Sequence, residues 1–276
     1  MNTDTIPTEA GVITELANLA AAKPQPLDPA VLTYVVVPDG ATGEVLDLTK
    51  YLDAPRRKTG VTRIIDAESF VMHVNDHKTG STRLYAVPDQ GTVTAVFDDH
   101  SATDPGWGQH RVILQVKKTR EWLHWETADG KLGKQTEFAN HIEDGLLEIR
   151  EPDGATMLEL AQSFQAHTNV TFRTSDRLAN GERQFTYDEE VTAAAGRTGN
   201  LAVPEQFVLG IAPYEGTDPY RVEARLRWRL SNGQLSIGYK LTRPADVLRV
   251  AFDEILSAIA TETQLGAMLG TPADSR

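Results

Sequence analysis

Apolar positions along the 276-residue chain change their period several times, and each change predicts an element. Between Thr8 and Ala22, the residues Val12, Ile13, Leu16, Leu19 and Ala20 recur at helical spacing behind Thr8, a residue suited to capping. Pro24, Pro26 and Pro29 break any continuation, so residues 1–30 read as a helix on a Pro-rich linker, free to pack onto a neighbouring subunit. Val31–Val37 is a β-branched strand ended by Pro38-Asp39-Gly40, with Glu44–Leu48 as a weaker partner. A helix begins at Asp66, with Ala67, Phe70, Val71 and Val74 on one face. Thr82–Val87 and Thr92–Phe97 flank Pro88-Asp89-Gln90-Gly91 and form a hairpin. Gln109–Val116 is another strand, followed by a segment carrying Trp122 and Trp125. Helices follow over Gln135–Asp144 and, with Asp153 as cap, over Asp153–Ala166.

From Asn169 the period shortens to two. Val170 and Phe172 lead through Asn180-Gly181, a strong hairpin signal, to Phe185 and Tyr187. Phe207, Leu209 and Ile211 alternate. Over Arg221–Leu230, Val222, Ala224, Leu226, Trp228 and Leu230 take one face, and Arg221, Glu223, Arg225, Arg227 and Arg229 the other. Asn232-Gly233 turns the chain, and Leu235, Ile237, Tyr239 and Leu241 return it. A last helix starts at Pro244 and buries Leu248, Ala251, Phe252, Ile255, Leu256 and Ile259. Hairpins mixed with helices, without regular strand–helix alternation, predict an α+β fold of mainly antiparallel sheet packed by amphipathic helices. The body spans residues 31–262, with a soft boundary near 148–153, and residues 263–276 read as a flexible tail.

Composition then narrows the chemistry. There is no cysteine, which removes disulfides, thiolate catalysis and sulfur-ligated metals. The net charge of −12 argues against general coating of DNA. Val247–Ile259 is interrupted by Arg249, Asp253 and Glu254, so no membrane span is expected. Asp4 and Glu9 stand where a secretory leader carries basic residues, and a cytoplasmic location follows as the expectation.

Reactive constellations are only weakly signalled in the chain. Gly130-Lys131-Leu132-Gly133-Lys134-Gln135-Thr136 approaches a phosphate-binding loop, but Gln135 follows the lysine and Ala128 replaces the first glycine, so a turn is preferred. His73 and His77 have the i, i+4 spacing of a metal pair without a third ligand, and a solvated helix edge is the simpler reading. Asp98, Asp99 and His100 fit turn chemistry better than a cation site. No Gly-x-Ser-x-Gly elbow occurs. No catalytic residue, metal or cofactor is assigned.

The polar feature with a defined geometry is the arginine ladder. Arg225, Arg227 and Arg229 should stand roughly 6.5–7 Å apart in a row, with Arg221 further along. Residues 201–250 hold 7 basic against 5 acidic side chains, so this region is basic within an acidic chain. Three readings remain: pairing with Asp or Glu across the sheet, contact with an acidic surface of another subunit, or a grip on nucleic acid. Trp107, in Asp104-Pro105-Gly106-Trp107-Gly108, is either a plug on the core or an interface anchor, and Trp122 and Trp125 join it as binding candidates.

Several stretches occur in the order of a known family. These are Ala67-Glu68-Ser69-Phe70-Val71 with Val74-Asn75, Trp107 with His110-Arg111, Glu121-Trp122 with Trp125, and Gln135-Thr136-Glu137-Phe138-Ala139 with Ile142-Glu143-Asp144. Met157-Leu158-Glu159, Val203-Pro204-Glu205-Gln206-Phe207, and Tyr220 through Arg229 leading to Leu241-Thr242-Arg243-Pro244 complete the set. Together they resemble the YfdQ-like family of uncharacterised phage and prophage proteins over most of residues 30–262. The resemblance implies a phage-encoded protein made in the cytoplasm of a bacterial host, and it carries over no catalytic residue. The expectation is a non-enzymatic protein that assembles with itself into a symmetric homo-oligomer, a ring or closed shell. The alternative is an accessory of phage recombination or replication that binds single-stranded DNA or a phage or host partner protein. A further alternative is counter-defence by sequestration.

Overall fold

A computed structural model describes residues 8–21, 52–173, 186–194, 203–231 and 234–273. The chain divides into two compact units, Met1–Lys58 and Thr59–Arg276, so the division falls well beyond the Pro-rich stretch. In the first unit, α1 (Glu9–Ala21) begins where Thr8 Oγ1 accepts the Gly11 amide at 3.3 Å, and its Ile13 and Leu16 are exposed. The strands expected at Val31–Val37 and Glu44–Leu48 lie outside the described residues.

The second unit holds two sheets, each with its own helices, and the α+β class is as expected. The first sheet has the order β1 (Gly60–Ile64), β4 (His110–Gln115), β3 (Thr92–Val96), β2 (Arg83–Val87), β12 (Ala267–Leu269). Helices α2 (Ala67–His77) and α6 (Pro244–Thr263) cover one face. α2 starts where Asp66 Oδ1 accepts the Ser69 amide at 2.7 Å, and its stripe buries Phe70, Val71 and Val74 against Leu84, Ala86, Val93, Ala95, Val112 and Leu114. α6 contributes Ala251, Phe252 and Ile259 to the same core.

The second sheet runs β5 (Leu132–Lys134), β11 (Gln234–Leu241), β10 (Tyr220–Ser231), β9 (Gln206–Ile211), β6 (Ile149–Glu151), antiparallel throughout. Its inner face is covered by α3 (Arg120–Ala128), α4 (Gln135–Asp144) and α5 (Gly154–Ser163). Thr119 Oγ1 accepts the Trp122 amide at 3.0 Å, which starts α3 and places Trp122 and Trp125 on its buried face. A separate hairpin pairs β7 (Gln165–Arg173) with β8 (Thr186–Ala194), and the Asn180-Gly181 step between them is not among the described residues. Tyr220 and Leu248 pack against both cores and tie the two layers together.

Three sequence expectations need correction. Residues 148–153 are not a boundary, because β6 is an edge strand of the second sheet and its Ile149 belongs to the same core as Trp122 and Leu241. The helix from Asp153 stops at Ser163, and Gln165 already pairs with Ala194 as strand. The tail is ordered in its first part: Ala267, Met268 and Leu269 pair in parallel with Leu84, Tyr85 and Ala86, and the Gly270 amide donates to Ala86 O at 2.9 Å. These bonds satisfy backbone groups that β2 would otherwise leave open at the sheet edge, while Leu265 and Ala267 rest on the core.

Candidate functional site

The alternation of β10 does what its pattern predicts. Val222, Ala224 and Leu226 are buried, while Arg221, Arg225, Arg227 and Arg229 are exposed on the outer face. The pairing register fixes what stands beside each. Arg225 lies opposite Lys240 and Gln206, Arg227 opposite Gly238, and Arg229 opposite Ser236, which is itself opposite Lys134 on β5. No carboxylate stands opposite these arginines on the neighbouring strands, and among the described residues none of the three makes an ion pair. Among the described residues, pairing across the sheet therefore holds, of the four arginines, for Arg221, whose Nη1 is 3.1 Å from Glu151 Oε1 on β6, while its Nη2 is 3.7 Å from Glu223 Oε1 on its own strand. Lys240 is held by Asp129 at 2.6 Å.

Beside Arg227, β11 carries no side chain, by necessity. A Cβ on Gly238 would collide with the Lys131 carbonyl oxygen, so only glycine lets the chain leading into β5 approach β11 this closely. Among the described residues, the outer face therefore combines a row of guanidinium groups without ion-pair partners, with Lys240, Gly238 and Ser236 beside them on β11, and no aromatic side chain stands on this face of β9, β10 or β11.

The tryptophans separate. Trp107 is 64% exposed on a braced loop. Asp98 accepts the amides of Gln109 and His110 at 3.1 and 2.9 Å, the Tyr85 hydroxyl donates to Asp99 at 2.6 Å, and the Gly106 amide donates to His100 Nδ1 at 3.1 Å. The Asp98-Asp99-His100 cluster thus serves turn chemistry. Trp122 and Trp125 are corrected as binding candidates: both are fully buried, since their spacing of three puts them on the sheet-facing side of α3.

Residues 132–134 of the glycine-lysine stretch form β5, and Glu137 Oε2 accepts the Lys134 amide at 3.0 Å, which is strand and helix-start geometry in place of a phosphate cradle. His73 and His77 are not a solvated edge. Their rings stack 4.4 Å apart, and both pack on Phe97, with the His110 ring 5.5 Å from that of His77. Among the described residues, no three His, Asp or Glu side chains stand in metal-binding geometry.

Sequence reading misses a second histidine stack. His124 and His141 lie 4.0 Å apart, and their separation along the chain has no motif; only the packing of α3 on α4 joins them. The Tyr239 hydroxyl donates to Trp125 O at 2.6 Å and lies 3.0 Å from His141 Nε2. A phenol has one hydrogen and the carbonyl can only accept, so His141 carries its proton on Nε2 and donates to the Tyr239 oxygen. Burial pushes Tyr239 above the ordinary phenol range. His141 and Tyr239 border a cavity of about 340 Å3 with Phe138, Leu132, Lys131 and Glu137.

Burial, reinforced by His124, lowers His141 from 6.5 to about 4. The unfolded chain therefore takes up a proton below about pH 6.5 that the folded chain refuses until about pH 4. Stability is fully present above the upper value and falls as the pH drops through this window. With allowance for the part of the ring that water reaches, the loss is about 1–2 kcal/mol. Urea unfolding at pH 7 and pH 5 measures it, and His141→Phe should flatten the slope.

A family model of uncharacterised conserved proteins, DUF2303, matches residues 7–272. The chain belongs to that family. No curated protein matches this DUF2303 chain, and no solved structure matches it. Among its described residues, no helix is long and apolar enough to cross a membrane.

Proposed function

We propose that this DUF2303 protein is non-enzymatic and phage-encoded, and that it acts in the bacterial cytoplasm by assembling with itself into a symmetric homo-oligomer through the outer face of β10. The observation that carries this reading is the row Arg225, Arg227, Arg229, exposed and with no carboxylate opposite it on the adjacent strands, in a chain of net charge −12. Guanidinium groups favour bidentate contact with carboxylates, and copies of an acidic chain supply them in excess. The ordered motifs resembling YfdQ-like phage and prophage proteins support the phage origin.

Nucleic acid is the second reading, since the same row would take phosphates. Sheets that bind single strands add aromatic platforms for the bases, and the described outer face has none. That difference favours a protein surface.

Light scattering at micromolar concentration tests the proposal. A multiple of the 30.3 kDa chain mass is expected, reduced to one chain by R225E/R227E/R229E and weakened by salt. A wild-type mass of one chain overturns it. So does tight binding of single-stranded DNA at low salt that this triple variant alone abolishes while the oligomer persists.

A further inference from the structure

We infer that the surface receiving the β10 arginines is the groove between α2 and α6 of a second copy, so that each copy both gives and receives. The inference rests on the homo-oligomer reading above and names the partner face of that contact. The groove has a volume of about 320 Å3. Its floor is apolar, formed by Ala67, Val71, Ala258 and Ile259, and its rim carries Glu68 from α2 and Glu262 from α6. Both glutamates are exposed, and among the described residues neither enters an ion pair.

Such a groove matches an arginine in both parts of its side chain. The aliphatic stem lies on apolar floor while the guanidinium head meets carboxylates on either side. A lysine-like point charge would use the rim alone, whereas the fork of an arginine reaches both walls. The other carboxylates of α6 are already engaged: Asp246 lies 3.4 Å from Arg243, Asp253 holds Arg249 at 2.9 Å and Glu254 accepts the Tyr220 hydroxyl at 2.5 Å. Glu68 and Glu262 are distinguished by flanking one apolar floor without an ion-pair partner, as Arg225, Arg227 and Arg229 stand without one on β10.

The arginine row belongs to the second sheet and the groove to the helices of the first, so the contact joins unlike surfaces. Contacts of that kind propagate head to tail and close as a ring when the rotation permits. Residues of the two faces do not overlap, which allows every copy to use both at once.

Charge exchange tests the pairing. E68K/E262K should dissociate the oligomer to single chains, as R225E/R227E/R229E does, and a chain carrying all five substitutions should reassemble. Circular dichroism and thermal melts identify any variant that fails to fold, and for such a variant the neutral forms E68Q/E262Q and R225Q/R227Q/R229Q replace the reversals, with dissociation again expected. If the groove variant assembles like wild type while the arginine variant dissociates, the groove is wrong and the arginine face stands. If both reversals dissociate and the five-fold chain stays monomeric, direct pairing of row and groove is overturned. If neither reversal changes the mass, both readings fall.

Discussion

Replacing Trp125 with alanine should destabilise the protein by about 3–5 kcal/mol, read as a lower midpoint in urea unfolding. Trp125 is fully buried, and its ring lies 5.1 Å from His141, 5.9 Å from Phe207 and 5.5 Å from Tyr239. Removing the indole opens a hole that helix and sheet on either side cannot both close. Trp107→Ala is the control from the same residue type. Its ring is mostly exposed, so its effect on stability should stay within about 0.5 kcal/mol. A small loss at Trp125 together with a large one at Trp107 would reverse the assignment of core and surface.

Tyr239→Phe should cost about 2–3 kcal/mol, although only one oxygen is removed. That oxygen donates to Trp125 O and accepts from His141 Nε2; its loss leaves the buried carbonyl without this donor and the part-buried imidazole without this acceptor. The pair is connected to pH through the same imidazole. With the hydroxyl gone, His141 loses the acceptor for its Nε2 hydrogen, so unfolding measured at pH 7 and pH 5 should show a changed slope as well as a lower midpoint. Unchanged stability at both values would mean that the two hydrogen bonds contribute nothing.

Legibility in the sequence differs by element. α2 is legible because a cap and a stripe agree: Asp66 precedes Phe70, Val71 and Val74 at the right intervals. β10 is legible because one of its faces is buried and the other is not, which forces alternation. β1 escapes for the opposite reason. Its residues from Gly60 to Arg63 are all exposed, so there is no contrast between faces to detect. β12 escapes because three residues pairing in parallel with a strand far back in the chain leave no local signature.

The neighbours of the arginine row are encoded more openly. The sequence Asn232-Gly233 signals a turn, and once Ser231 pairs with Gln234 the antiparallel register sets every later pair, including Arg227 with Gly238 and Arg229 with Ser236. Counting back from that turn is enough to show that no carboxylate on β11 faces the row. Trp122 and Trp125 also carry their answer in their spacing, which is that of one helical face. The His124–His141 stack has no such signal, because it depends on how α3 and α4 dock.

The route of the chain through its two layers constrains how it is made. The first sheet receives β2, β3 and β4 early, but its covering helix α6 and its edge strand β12 come only after the entire second layer has been synthesised. On a ribosome, the apolar face of Leu84, Ala86, Val93 and Leu114 therefore has only α2 to cover it until Phe252 and Ile259 arrive, while the second layer can already gather most of its own core. Synthesis arrested before residue 244 would release a chain whose first sheet is covered by α2 alone and whose second core lacks Val247 and Leu248, a natural substrate for chaperones and proteases.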